Sequence, residues 1–195
     1  NELKFKNIKD INVKGLGENS DLILLNEIKN LNLNNIYLIN KKDINNKITS
    51  NNLVEQYNIF KKYPASLDIN IKKTKFLARI NNNGKIFLVG SNGKLSKNNL
   101  SLNQLPFIFG KLDINEFLNF KRIIDESKFV YNEIENLYYF SSKRWDIELK
   151  NNVIIKLSAK NPTESLKLGY EFLNNNNLKD IKIIDARIKN QIILN

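Results

Sequence analysis

The groups able to do chemistry here are carboxylates, lysines, arginines and tyrosines, because the 195 residues include neither His nor Cys. Thiol nucleophiles, imidazole bases, Ser-His-Asp triads and ordinary zinc sites are excluded together. The carboxylate pairs Asp125/Glu126 and Glu133/Glu135 have the residue types of a glycosidase acid and base. Neither sits in a pocket motif, and solvated faces account for both. Gly15-x-Gly17 lacks the third glycine and the Lys of a phosphate loop and reads as a turn. No catalytic, cofactor-binding or metal-binding residue is assigned.

Binding chemistry has better candidates. Asp185 and Arg187, two positions apart, share one face of a strand. They either pair with each other at little net energy or leave Arg187 to reach a partner's carboxylate, and the spacing favours neither. Lys143 and Arg144 precede Trp145, the single Trp. They are either a basic pair that reads a partner or a wet face. An aromatic on an alternating strand is more often core than an interface anchor, so Trp145 is assigned to the core.

The formal net charge is +11. Attraction to nucleic acid, anionic lipid or an acidic protein is one explanation. The abundance of Asn, Lys and Ile suits an AT-rich genome, and the few arginines (Arg79, Arg122, Arg144, Arg187) are a poor set for reading bases. Composition is therefore the better account, with a basic nucleic-acid-binding domain as the alternative. Apolar runs such as Leu22–Leu25 and Leu105–Phe109 are far short of the ~20 residues of a membrane span. With no Met and Asn at position 1, the chain is expected to be a fragment or a processed product, any anchor or export signal lying upstream.

These groups must be held by two successive α+β segments. The first reads strand (5–14), helix (from Ser20 as N-cap to about Leu31), helix (43–49, capped by Asn40 or Asp43), strand (54–62) and strand (66–73). NIYLIN, 35–40, is a short apolar stretch within it. Leu67, Ile69 and Ile71 alternate with polar residues, the mark of a sheet with one wet face. The charged join Lys72–Lys75 is no Gly/Ser linker, so the two parts are expected to pack closely. The second segment opens with a hairpin on NNNG, 81–84. A turn at 91–93, the polar SKNNLSLNQ and then LPFIFG follow. A helix over 113–127 carries the stripe Phe117, Phe120, Ile123, Ile124. A hairpin over 138–157 turns at Asn151-Asn152. Pro162 opens a helix to about Leu173 that stops in Asn174–Asn177. Two strands, 181–187 and 191–194, finish the chain.

The ordered motifs are V-K-G (Val13–Gly15), KKYPASLDI (Lys61–Ile69), A-R-I with NGKIFLV and SNGK (Ala78–Lys94), LPFIFG (Leu105–Gly110), RWDIEL (Arg144–Leu149), VIIKL (Val153–Leu157) and IIDAR (Ile183–Arg187). In this order and spacing they resemble the FtsQ/DivIB division proteins over essentially the whole chain. The resemblance implies a POTRA domain, 1–73, packed on a β-domain, 74–195, with a curved mixed or antiparallel sheet and flanking helices. It also implies an upstream membrane helix, a place on the periplasmic side of the cell inner membrane at the septum, and no enzymatic activity. The implied partners are FtsB- and FtsL-like proteins and, through them, the septal peptidoglycan synthase. Another POTRA-containing envelope assembly protein is the nearer rival reading.

By the same resemblance the partner adds a strand to the edge formed by residues 184–194. Arg187, with Lys143 or Arg144, would meet its acidic residues. Asp185 and Asn190 belong to the same site, and Ile188 and Ile192 would supply apolar contact. Ile188 stands where family members often carry an aromatic. A second docking site is expected in the first domain at Lys61 and Lys62.

Overall fold

A computed structural model describes residues 8–31, 33, 40–97, 104–175 and 181–195. The stretch 35–39 of NIYLIN, residues 5–7 of the first expected strand, residues 98–103 of the polar loop and Asn176–Asn177 of the expected helix stop lie outside them. The chain forms two compact units: residues 1–75 with 90–94, and residues 76–89 with 95–195.

The first unit runs β1 (Asp10–Lys14), α1 (Glu18–Lys29), α2 (Lys41–Ser50), β2 (Val54–Lys62) and β3 (Ser66–Lys73). The strands lie in the order β1-β3-β2, with β1 parallel and β2 antiparallel to β3. The alternation in β3 buries Leu67, Ile69 and Ile71. Leu24 and Ile28 of α1 and Ile44 and Ile48 of α2, each pair spaced i and i+4, complete this core.

Asn40 caps α2 by accepting from the Lys42 N–H at 3.0 Å. Ser20 does not cap α1. That helix starts earlier, at Glu18, with Gly17 as N-cap and no side-chain cap bond. The Asp21 carboxylate instead reaches back to the N–H groups of Leu16 (2.8 Å) and Gly15 (3.2 Å). Asp21 thus holds the β1–α1 turn from inside the first helical turn, where its charge also suits the helix dipole. Gly15 has φ 124°, and a Cβ there would lie 1.8 Å from the Ile71 carbonyl oxygen. The V-K-G motif is a backbone requirement.

The second unit contains β4 (Phe76–Asn82), β5 (Lys85–Gly90), β6 (Leu95–Lys97), β7 (Phe107–Phe109), α3 (Ile114–Glu126), β8 (Ile134–Tyr139), β9 (Trp145–Leu149), β10 (Ile154–Lys156), α4 (Pro162–Asn175), β11 (Ile183–Asp185) and β12 (Ile193–Leu194). These strands form one mixed sheet in the order β12-β11-β10-β9-β8-β7-β4-β5-β6. The parallel pairs β7/β8 and β10/β11 are the two joined through helices, α3 and α4. The closing strands are shorter than expected, three and two residues, because the chain departs from the ladder after Ala186 and turns at 188–190.

Ile108, Leu137, Ile147, Ile155 and Ile184 stand in register on the covered face of the sheet. They share a core with Phe117, Phe120 and Ile124 of α3 and Leu166 of α4. Trp145 lies flat on Phe120, with centroids 4.6 Å apart and planes within 3°, and takes the core position assigned from alternation. Gly110 closes LPFIFG with φ 113°, and a Cβ there would come 2.1 Å from the Tyr139 carbonyl oxygen.

Two substitutions test this packing, both read by Trp145 fluorescence during urea unfolding. Gly110→Ala adds strain and a backbone collision and is expected to cost at least ~2 kcal/mol. Phe120→Ala removes the ring under Trp145 and is expected to cost about 3–5 kcal/mol. An unshifted midpoint in either variant contradicts the packing described.

A candidate protein-docking surface at the end of the large sheet

Strand residues alternate between faces, so the residues between the core positions line the opposite face. In register across five strands stand Phe109, Tyr138, Asp146, Lys156 and Asp185, with Ile193 opposite Asp185 on β12. The row is aromatic at β7 and β8 and ionic from β9 to β11. Phe109 stacks on Tyr138 at 5.1 Å. The Tyr138 hydroxyl donates to Glu148 at 2.6 Å, and Asn136 donates to the same oxygen at 2.8 Å. Burial first, then the Glu148 carboxylate, pushes the Tyr138 hydroxyl up to about 12.

Two arginine–aspartate pairs flank Lys156. Arg144 donates through Nε and Nη2 to the two oxygens of Asp146 at 3.1 and 3.2 Å. Its guanidinium lies over the Phe140 ring, 4.0 Å from the centroid. Asp146 is buried, and burial raises its pKa against the pull of Arg144 and Lys156. Arg187 donates through Nε and Nη2 to Asp185 at 2.8 and 2.6 Å, and the Arg187 backbone N–H donates to the same carboxylate at 3.2 Å. The arginine's hydrogen bonds hold the Asp185 carboxyl below its ordinary range, and Asp185 raises Arg187 in return. The Arg187 side chain is still 45% exposed. The structure thus shows Asp185 and Arg187 paired with each other while one side of the guanidinium remains open.

The expected basic pair is split. Lys143 and Arg144 belong to the β8–β9 turn rather than to a strand. Lys143, with φ 61°, bonds Glu116 of α3 at 3.1 Å, which raises its pKa. Arg144 turns to the ionic row instead. Only Arg144 shares a surface with Arg187.

The expected edge strand over 184–194 is also corrected. Ile184 and Asp185 sit in β11, an interior strand between β10 and β12. Arg187, Ile188 and Asn190 form the turn that follows, Asn190 in a left-handed conformation with φ 56°. Ile192 packs against the unit's core. The edge is β12, whose Ile193 and Leu194 are 47% and 44% exposed. Asn195 exchanges both backbone bonds with Ile183, at 2.9 and 3.1 Å. Antiparallel pairing alternates, so Leu194, one residue earlier, directs its N–H and C=O outward. Ile193 and Leu194 fall within the edge expected from the sequence, although neither is among the contacts expected there.

A pocket adjoins this turn. Leu168 and Ala186 lie in it beside Ile188, with Lys160, Arg187 and Lys189 around them. In the first unit, Lys61 and Lys62 close β2, the outer strand of its sheet, and Lys62 forms a salt bridge with Asp68. Among the described residues no cluster of three or more potential metal ligands occurs. No helix among them is long and apolar enough to cross a membrane.

Comparison with known proteins agrees with this two-part architecture. Residues 6–73 match the model of the POTRA domain, FtsQ-type, and residues 76–187 match the model of the cell division protein FtsQ/DivIB C-terminal domain. The cell division protein FtsQ of Rickettsia bellii is 25% identical over 97% of this chain and 72% of its own length. Its counterparts in Rickettsia felis and Rickettsia conorii are 26% and 25% identical over 80% of this chain, which spans 60% of their length. A solved structure, the major extracytoplasmic domain of the trans isomer of DivIB from Geobacillus stearothermophilus, aligns at 13% identity and a TM-score of 0.38, covering 53% of this chain and 98% of that one. The two family models together take in nearly every residue from 6 to 187, and on that coverage the chain belongs to the FtsQ/DivIB family of cell-division proteins.

Proposed function

We propose that this chain is the extracytoplasmic part of a membrane-anchored, non-enzymatic scaffold that holds partner proteins on the free end of its large sheet. Family membership gives it a role in bacterial cell division. The finer reading is that residues 1–73 and 74–195 are its two working domains and that a single upstream helix anchors it in the inner membrane at the septum. The partners are FtsB- and FtsL-like proteins, through which it reaches the septal peptidoglycan synthase.

The observation that carries this reading is the outward edge of β12. An extended segment laid along it would continue the sheet through the free backbone groups of Leu194. Ile188, Ile193 and Leu194 offer the apolar contact. Arg187 offers the charge, and a partner carboxylate beside it would complete a second bidentate set. Arg144 stands behind it in the ionic row. The carboxylates Asp146, Glu148 and Asp185 are each engaged by a neighbouring donor, which suits a binding surface better than an acid–base pair. The first unit carries a second docking site at Lys61 and Lys62.

Titration calorimetry with the extracytoplasmic segment of the same organism's FtsB-like protein tests the site. Arg187→Glu is expected to weaken binding by about 2–5 kcal/mol, the cost of breaking a desolvated charge pair. Unchanged affinity rules out this register. Leu194→Pro removes one outward N–H and leaves the inward ladder of β12 intact. It is expected to weaken binding by about 1 kcal/mol, a single net hydrogen bond, with thermal stability unchanged. Full affinity in that variant would exclude strand addition at this edge.

A further inference from the structure

The second docking site lies where the chain enters the first unit. The backbone N–H groups of Lys9 and Asp10 donate to the Ala65 carbonyl at 2.8 and 3.4 Å. Ala65 sits in the tip of the β2–β3 hairpin, so the incoming chain and the tip share one end of the sheet. Phe60 and Tyr63 at this tip are 51% and 60% exposed. Lys61 and Lys62 lie between them in sequence. Lys41, at the start of α2, lines a groove together with Lys61, Tyr57 and Ile59. Exposed Lys9 and Lys42 add to the same end.

Opposing charge comes from Asp10, exposed beside Lys9, and from Asp68 and Asp43, three carboxylates against the five lysines at this end. Asp68 is held by Lys62, whose side chain stays 65% exposed despite the contact. Asp43 sits in the first turn of α2, where the helix dipole offsets its charge. Large exposed aromatics interleaved with long-stemmed cations are the composition of a surface that lies at a bilayer interface. The rings seat at headgroup depth while the ammonium groups meet anionic lipid. Alternation puts Tyr57, Ile59 and Lys61 on the groove side of β2 and Phe60 and Lys62 on the other, so the tip presents apolar and basic groups on both sides rather than one apolar concavity.

We propose that the β2–β3 tip, through Phe60, Lys61, Lys62 and Tyr63, rests on an anionic membrane surface. This names the partner of the second docking site and rests on the reading that a membrane anchor precedes the chain. Contact at the entry end holds the first unit against the headgroups independently of the anchor. The rings give depth and the lysines give preference for acidic lipid.

Flotation with vesicles of phosphatidylcholine alone, or with about 30% phosphatidylserine, tests the proposal on this chain without any upstream segment. The expected result is binding to the anionic vesicles only, weakened by salt over the screening range. Lys61→Glu with Lys62→Glu should reduce partition at least about tenfold, each lysine near the surface contributing comparably. Phe60→Ser with Tyr63→Ser, which leaves charge untouched, should reduce it severalfold. Lys128→Glu with Lys150→Glu makes the same charge change in the other unit and should leave binding intact. Circular dichroism confirms that each variant is folded. Absence of binding, equal loss in the Lys128/Lys150 variant, or retention in both tip variants overturns the proposal. So does loss of FtsB-like segment binding in the tip variants with vesicle binding kept, which would make the tip a protein site. Arg187→Glu should bind vesicles normally, so failure of the β12 reading and failure of this one give different results.

Discussion

The flat contact between Trp145 and Phe120 fixes which side of β9 faces α3. Strand side chains alternate, so committing Trp145, Ile147 and Leu149 to the helices commits Asp146 and Glu148 to the other face. The ladders carry that choice sideways. Tyr138 must lie opposite Asp146, Lys156 must lie on its other side, and Asp185 must follow on β11. A slip of one residue at any of these strands would turn the ionic row into the core and the core outward. The ionic row is thus a by-product of core packing: aromatic stacking on one face sets the order of charges on the other.

The two Arg–Asp pairs in that row have the same spacing and different standing. Arg144 is covered by Phe140 and bonded to a buried carboxylate. Removing either partner would strand a charge in a desolvated place, so this pair belongs to the architecture. Arg187 is open on one side and its pair with Asp185 is partly solvated. Exposed pairs add little to stability. What Asp185 supplies is direction: it holds a flexible guanidinium at one angle beside the end of the sheet, which would lower the entropy lost in binding a second carboxylate.

Much of this was legible from residue order because local chemistry agrees with the fold. Alternation in β3 and β9, the i and i+4 apolar pairs of both helices of the first unit, and the Asn40 cap all follow from short-range rules. The misreadings came where a residue acts at a distance along the chain. Ser20 has the right type for an N-cap, but Asp21 reaches backward over five and six residues and makes a cap at Ser20 unnecessary. Lys143 and Arg144 are adjacent, yet a left-handed backbone at Lys143 sends the two side chains to partners on opposite faces. The lengths of the last strands were less legible. The break between 187 and 191 holds the turn and its left-handed Asn190, as the sequence indicates, but the ladders on either side are shorter than the Ile-rich runs.

That reversal folds β12 back on β11 and puts a basic turn, with Arg187 and Lys189, beside the rim of the large sheet. A long, flat apolar edge is a template on which identical chains can stack without limit. Copies brought edge to edge here would set this positive turn against its like, which opposes such growth. An extended segment carrying acidic residues would meet no such repulsion. The charge of the reversing turn would therefore act as a filter against self-association.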